Sequence, residues 1–300
     1  MSRAVAGLVA GAIAWPGVAG AQLVMTAETV LPGLHVIAGF ANGNILVVEG
    51  RDGVLLVDAQ SPRRVGLADS VLRTLTAAPV RTVVFTHYHE DHTGGMPHWR
   101  AGGATAVGHA SLPAQMAKDT VITDWEGWHR TPAAPQAMPD RTVTDRLVLD
   151  AGGVRVELIH IPPAHTDGDL VVWLPERNLL HSGDLVEPGA APFIDWWAGG
   201  SLDGMIAAAD QLLALVNDST RIVPGHGPVI GRETLAEHRR MLVTLRDEIG
   251  NQVRQGQTLD QVLAAHPAAE FETLLGGPRR ADQFVRLVYY GLARSGHPNR

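Results

Sequence analysis

The chain has 300 residues, 45% of them hydrophobic, with a net charge of −7 and no cysteine. That is enough apolar material for one substantial core and too little positive charge for a nucleic-acid-binding surface. Without thiols the fold gains nothing from disulfides, and any metal site must be built from nitrogen and oxygen donors.

The first element reads as a leader. Arg3 gives it a positive start, "AVAGLVAGAIAWPGVAG" an apolar run broken by Gly and Pro, and Ala19-Gly20-Ala21 a small-residue cleavage site. This is the pattern of a secretory signal over residues 1–21, and it is too short and too broken for a good membrane span. The mature chain, residues 22–300, is therefore expected in the periplasm or outside the cell. It reads as one domain with a helical extension from about residue 251 to 300.

Strands follow at "GLHVIAG", "GNILVVEG" and "GVLLVDA", separated by Gly and Asn-Gly turns. The stretch "SPRRVGLADSVLRTL" predicts a helix capped by Ser61, with Pro62 in its first turn and Val65, Ala68, Val71, Leu72 and Leu75 on one face. The strand "RTVVFTH" comes next, then "ATAVGH". Residues 119–140, which include Trp125 and Trp128, show no period and read as one long loop, a candidate lid. Four strands are expected at "DRLVLDA", "VRVELIHI", "DLVVWLP" and "RNLLHSGD". Helices return in "SLDGMIAAADQLLALV" and in "RETLAEHRRMLVTLRDEI", where Leu235, His238, Leu242, Leu245 and Ile249 form a stripe. The chain closes on an apolar helical run, "FVRLVYYGLA". Strands and helices interleave throughout, which favours layered sheets covered by helices.

One stretch, "THYHEDHTGG", holds three histidines and two acids within six residues and no Lys or Arg. Such groups are costly to bury beside the preceding apolar run unless a cation pairs with them. Alternate residues of an extended segment point the same way, so His87 and His89 can converge on one ion. Asp91 and His92, past the strand end, can turn toward a second, and Gly94-Gly95 lets the backbone turn tightly beside them. Three later strand ends each offer one more candidate: His165 in "PPAHTDGD", Asp184 in "LLHSGDL" and His226 in "IVPGHGP". Five His and two Asp suffice for two ions and one bridging carboxylate. The other histidines lack such context and are read as structural, with His181 least clear because it lies near Asp184.

The order His-x-His-x-Asp-His, a single His, Gly-Asp and Gly-His-Gly resembles the metallo-β-lactamase superfamily over roughly residues 28–230. The resemblance implies a four-layer αββα sandwich, two mixed sheets flanked by helices, with a dinuclear site at one sheet edge. It assigns His87, His89 and His165 to one ion, Asp91, His92 and His226 to the other, and Asp184 to both. It also makes Asp58, in "LLVDAQ", a support for one ligand from behind. Two zinc ions are the expected cofactor, with iron and manganese as alternatives.

Two such ions would bridge a water and lower its pKa, giving a hydroxide able to attack a carbonyl, with Asp91 as the catalytic residue that orients it. The expected reaction is hydrolysis of a β-lactam, a lactone or a related ester or amide. A thioesterase or phosphodiesterase is the alternative, and outside hydrolysis a mononuclear iron enzyme akin to persulfide dioxygenases. Asp184 departs from the all-histidine β-lactamases, and "DLVEPGA" lacks a Lys or Ser to hold a β-lactam carboxylate. Phe193, Trp196 and Trp197, with Trp125 and Trp128, suggest an apolar pocket with few fixed charges. The expected partner is a small molecule, with neither nucleic acid nor, once the leader is gone, a membrane.

Overall fold

In a computed structural model of the chain, which describes residues 25–39, 42–123 and 127–295, the run "ILVV" at residues 45–48 has no polar face because both its faces are buried. Ile45 and Val47 face one apolar cluster, and Leu46 and Val48 face another. The leader read over residues 1–21 lies outside the described residues, as does Trp125.

The first strands are β1 (Thr26–Leu31), β2 (Leu34–Gly39), β3 (Asn42–Gly50), β4 (Gly53–Val57), β5 (Val80–Val84) and β6 (Thr105–His109). They form a sheet in chain order, which β9 (Arg141–Val143) extends beyond β6. Pairing is antiparallel from β1 to β4 and parallel from β4 to β9. A separate hairpin pairs β7 (Thr120–Ile122) with β8 (Trp128–Arg130). The second sheet runs β10 (Arg146–Asp150), β11 (Arg155–His160), β12 (Leu170–Leu174), β13 (Leu179–Gly183) and β14 (Arg221–Pro224). Only its last pair is parallel.

Between the sheets lie Leu46, Val48, Leu55, Val57 and Val84 from one side and Val156, Leu158, Val172, Leu174 and Val223 from the other. Helices α1 (Val65–Leu75), α3 (Met96–Ala101) and α4 (Leu112–Met116) cover the outer face of the first sheet through Ala68, Leu72, Met96, Trp99 and Leu112. The outer face of the second sheet is covered by α5 (Leu202–Leu215), α6 (Arg232–Arg254), α7 (Leu259–Ala264) and α8 (Pro278–Ser295). The result is the αββα sandwich. The stripe Leu235, His238, Leu242, Leu245 and Ile249 is buried along α6, and residues 259–288 add Val262, Phe271, Leu275, Phe284 and Val288 to the same cluster. Trp196 packs on α8 at Gly291, where a Cβ would lie 1.9 Å from the indole ring. Among the described residues no helix is long and apolar enough to cross a membrane.

Two local expectations are corrected. Helix α1 begins at Val65 after Arg64, without a side-chain cap. The Ser61 carbonyl instead accepts from the Arg64 and Val65 amides in a preceding turn, because Gln60 bends the chain there with φ +68°. Residues 119–140 are not one irregular loop: the β7–β8 hairpin and a short helical turn at Pro135–Ala137 organise them.

Candidate metal centre

The seven candidate side chains come from five separate places along the chain and meet at one edge of the sandwich. Past β5 the chain bends at residues 86–88, where an extended run was expected; His87 lies in that bend, His89 just before the one-turn helix α2 (Glu90–Thr93), and α2 then carries Asp91 and His92 round to the same side. His165 comes from the β11–β12 loop, Asp184 follows β13, and His226 follows β14. Two groups result: His87, His89, His165 and Asp184, and Asp91, His92 and His226, with the donor atoms of each group within 4.8 Å of one another.

Asp184 connects them. Its Oδ2 lies 3.7 Å from His87 Nε2, 3.8 Å from His165 Nε2 and 3.4 Å from His226 Nε2, and its Oδ1 lies 3.5 Å from His92 Nε2. Asp91 Oδ2 is 3.2 Å from His226 Nε2 and 3.5 Å from His92 Nε2. Room for Asp184 comes from Gly225, where a Cβ would stand 1.9 Å from Asp184 Oδ1. Gly94 and Gly95 serve a similar end. Both have ordinary helical φ, and a Cβ on Gly95 would lie 2.1 Å from the Ala59 carbonyl, so close approach rather than a tight turn requires glycine there.

The hydrogen bonds behind the rings set which nitrogen faces inward. His92 Nδ1 donates to Asp58 Oδ2 at 2.7 Å. Thr86 Oγ1 donates to the same oxygen at 2.9 Å and accepts from His87 Nδ1 at 3.1 Å, while the Thr86 amide donates to Asp58 Oδ1 at 2.8 Å. His165 Nδ1 donates to the Phe193 carbonyl at 2.8 Å, and His89 Nε2 to Asp195 Oδ2 at 3.1 Å. These four rings thus spend their N–H outward and turn a lone pair toward the centre. Asp58 does this at φ +70°, a strained conformation for a residue with a Cβ.

The donor set fits divalent ions. His87 Nε2 and His89 Nδ1 face each other at 2.9 Å, and His89 Nδ1 and His165 Nε2 at 3.1 Å, although the outward bonds leave these nitrogens without protons. Asp184 Oδ1 is buried with no hydrogen-bond partner. A cation between these atoms resolves both problems. The electrostatics agree. Burial opposes charge on His226, yet the Asp184 and Asp91 carboxylates push its pKa up to about 11. The Asp91 carboxyl is held far below its usual range by His92 and His226 despite burial. His165, in contrast, is lowered to about 4, by burial and by the neighbouring His89. A field that holds protons on His92 and His226 also holds metal, so the two compete and uptake strengthens as pH rises.

Sequence reading missed the outward partners except Asp58. Asp195 accepts from His89, from the Tyr88 hydroxyl and from the amides of Trp197 and Ala198. Asp169 accepts from the His165 and Thr166 amides, and Asn44 on β3 bonds the carbonyls of Pro224 and Gly227 around His226. An acid two residues before "WAGG" was the available signal for Asp195, and nothing in its spacing pointed to His89.

A cleft of about 810 Å³ opens beside the centre, with His89, Asp91, Trp128 and Phe193 among its lining residues. Phe193 packs 6.0 Å from the His89 ring and 5.8 Å from Trp128. Trp196 lies in the helical core instead. The cleft is also less apolar than the aromatic residues suggested, for Arg63, Lys118 and Arg130 line it too.

The sequence pattern of the Metallo-beta-lactamase superfamily matches residues 38–226. An acyl-coenzyme A thioesterase of Gallus gallus is 28% identical over 214 residues, 64% of this chain and 75% of its own length. A metallo-beta-lactamase type 2 of Bacteroides fragilis is 24% identical over 206 residues, 68% of this chain and 75% of its own. Among solved structures, the metallo-beta-lactamase from Pontibacter korlensis superposes with a TM-score of 0.61 at 21% identity, over 73% of this chain and 98% of that one.

Proposed function

The chain belongs to the metallo-beta-lactamase superfamily and is a metal-dependent hydrolase; from that premise we propose that it holds two zinc ions and hydrolyses an acyl bond in a small molecule. The observation that carries this reading is Asp184, whose Oδ2 lies 3.4 to 3.8 Å from ring nitrogens of both donor groups. His87, His89 and His165 would hold one ion, Asp91, His92 and His226 the other, with Asp184 between them. Nitrogen and carboxylate donors without sulfur suit zinc. Bound there, two ions supply a water acidic enough to ionise near neutral pH and polarise the substrate carbonyl.

The chain's own residues supply the rest. Asp91, ionised at neutral pH, is an acceptor that orients the attacking water. Asp58, Thr86 and Asp195 fix the tautomers of the rings, so no donor is wasted on an inward proton. Trp128 and Phe193 wall the cleft beside His89 and limit solvent on that side. Likeness to a thioesterase and to β-lactamases, both acting on acyl carbonyls, supports β-lactams, lactones, esters and thioesters as the substrate class. Export belongs to the same proposal: the leader would be removed and the mature chain would begin near Gln22, as N-terminal sequencing of periplasmic protein tests.

Metal analysis with a hydrolysis screen of these four classes tests the whole. Two ions per chain and turnover of an acyl substrate are expected, with loss of both in Asp184→Ala. One tightly bound ion with full activity, or Asp184→Ala keeping both ions, overturns it.

A further inference from the structure

The chain contains a single lysine, Lys118, and it lies in the cleft together with Arg63 and Arg130. Among the described residues none of the three cations has a carboxylate within ion-pair distance, although most other arginines in ion pairs sit on the open surface. Arg130 is the extreme case, with 6% of its surface exposed. Its guanidinium lies 4.5 Å over the Tyr88 ring and 5.9 Å from that of Trp128. One terminal nitrogen donates to the Gln115 side chain at 3.0 Å and to the Gln115 carbonyl at 3.3 Å, and its Nε has no partner. Two acids connect to it indirectly, Asp167 through Gln115 and Asp195 through Tyr88. A π face and one amide offset part of the cost of a buried cation, but not the loss of hydration around a full charge with a free donor. A negative charge in the cleft would complete this wall.

We propose that Arg130, with Lys118 and Arg63, binds an anionic group of the substrate, a carboxylate or a phosphate carried on the acyl compound. The inference rests on the acyl-hydrolase reading and narrows it. Substrates bind with the scissile carbonyl at the metal centre and the anion against the guanidinium that Tyr88 holds flat. Tyr88 therefore acts on both sides, since its hydroxyl donates to Asp195 behind His89. Selectivity follows from the chemistry: an anion gains the attraction of three cations gathered on one cleft, which a neutral analogue forgoes, a loss on the order of tenfold to hundredfold in kcat/KM.

The test uses matched pairs on the full metal-loaded chain. Benzylpenicillin is set against its methyl ester for the carboxylate source, and S-acetylphosphopantetheine against S-acetylpantetheine for the phosphate source. In at least one pair the anionic member is expected to be favoured at least tenfold, with the preference falling toward one in Arg130→Gln. Should that variant not fold, Lys118→Met reads the same preference without touching the buried ring stack. A second readout needs no turnover: reductive ¹³C-methylation labels Lys118 as the one side-chain amine, and its NMR signal should move with the anionic ligand and not with its neutral partner. Equal kcat/KM within both pairs, or a static Lys118 signal, overturns the proposal. Hydrolysis without preference would leave the hydrolase reading standing alone. A moving Lys118 signal with no acyl compound hydrolysed would leave the anion site standing alone.

Discussion

Asp58→Asn is the substitution that tests most directly how the rings are aimed. The carboxylate accepts three hydrogen bonds, from His92 Nδ1 at 2.7 Å and Thr86 Oγ1 at 2.9 Å on Oδ2, and from the Thr86 amide at 2.8 Å on Oδ1. An asparagine has the same shape but only one acceptor oxygen. With its amide nitrogen toward His92, that ring must accept at Nδ1 and carry its proton at Nε2, the atom facing the centre. Turned the other way, the amide nitrogen meets the Thr86 N–H, and two donors oppose each other in a buried place. Either arrangement forfeits a charge-assisted bond of about 1.5–3 kcal/mol. Loss of a ligand's outward partner lowers metal affinity roughly 10–100-fold, or about 1.4–2.7 kcal/mol. The effect should fall mainly on the ion held by Asp91, His92 and His226, and more weakly on the other through Thr86 and His87. Competitive chelator titration of the two metal equivalents, with circular dichroism to verify the fold, measures it. Unchanged affinity for both equivalents in a folded variant would refute the idea that Asp58 sets the tautomers.

Asp91→Asn should keep the fold and about one ion and lower kcat at least about a hundredfold, with KM changing less, because the cleft walls are untouched; kinetics and metal content on the same sample check this. Gly225→Ala places a methyl where Asp184 Oδ1 stands and should lose metal while circular dichroism stays native. His238 is buried on α6, and burial, against a bond to the Leu185 carbonyl, lowers its pKa to about 4. The unfolded chain protonates this ring below about pH 6.5 and the folded chain only below about 4, so stability declines as pH falls between those values. His238→Leu should remove a share of the slope approaching 1.4 kcal/mol per pH unit, seen in urea unfolding at pH 5 and 7.

What could be read from sequence was what is local. The run at residues 45–48 announces a strand, and in the structure Ile45 and Val47 face one cluster while Leu46 and Val48 face another. The meeting of the seven candidate side chains was legible because each follows a strand that ends in a polar, Gly-flanked turn, and a shared sheet edge brings such turns together. Asp195, Tyr88 and Arg130 were not, because their roles depend on contacts across the fold that leave no spacing behind them. The missed β7–β8 hairpin is only three residues on each strand, too short for alternation to register. Ser61 had the chemistry of a cap, but after the left-handed backbone at Gln60 it is the Ser61 carbonyl, not its side chain, that meets the Arg64 and Val65 amides.

The contact between Trp196 and Gly291 gives the end of the chain a stake in catalysis. Phe193 and Asp195, which orient His165 and His89, share one short loop with Trp196, and the indole rests where α8 has no side chain. A load applied to the last helix is therefore delivered to the loop, and through it to two imidazoles more than a hundred residues earlier in the chain. An affinity tag or a trimmed C-terminus on this protein is best judged by its metal stoichiometry, since yield and solubility would not register a ring turned by a few degrees.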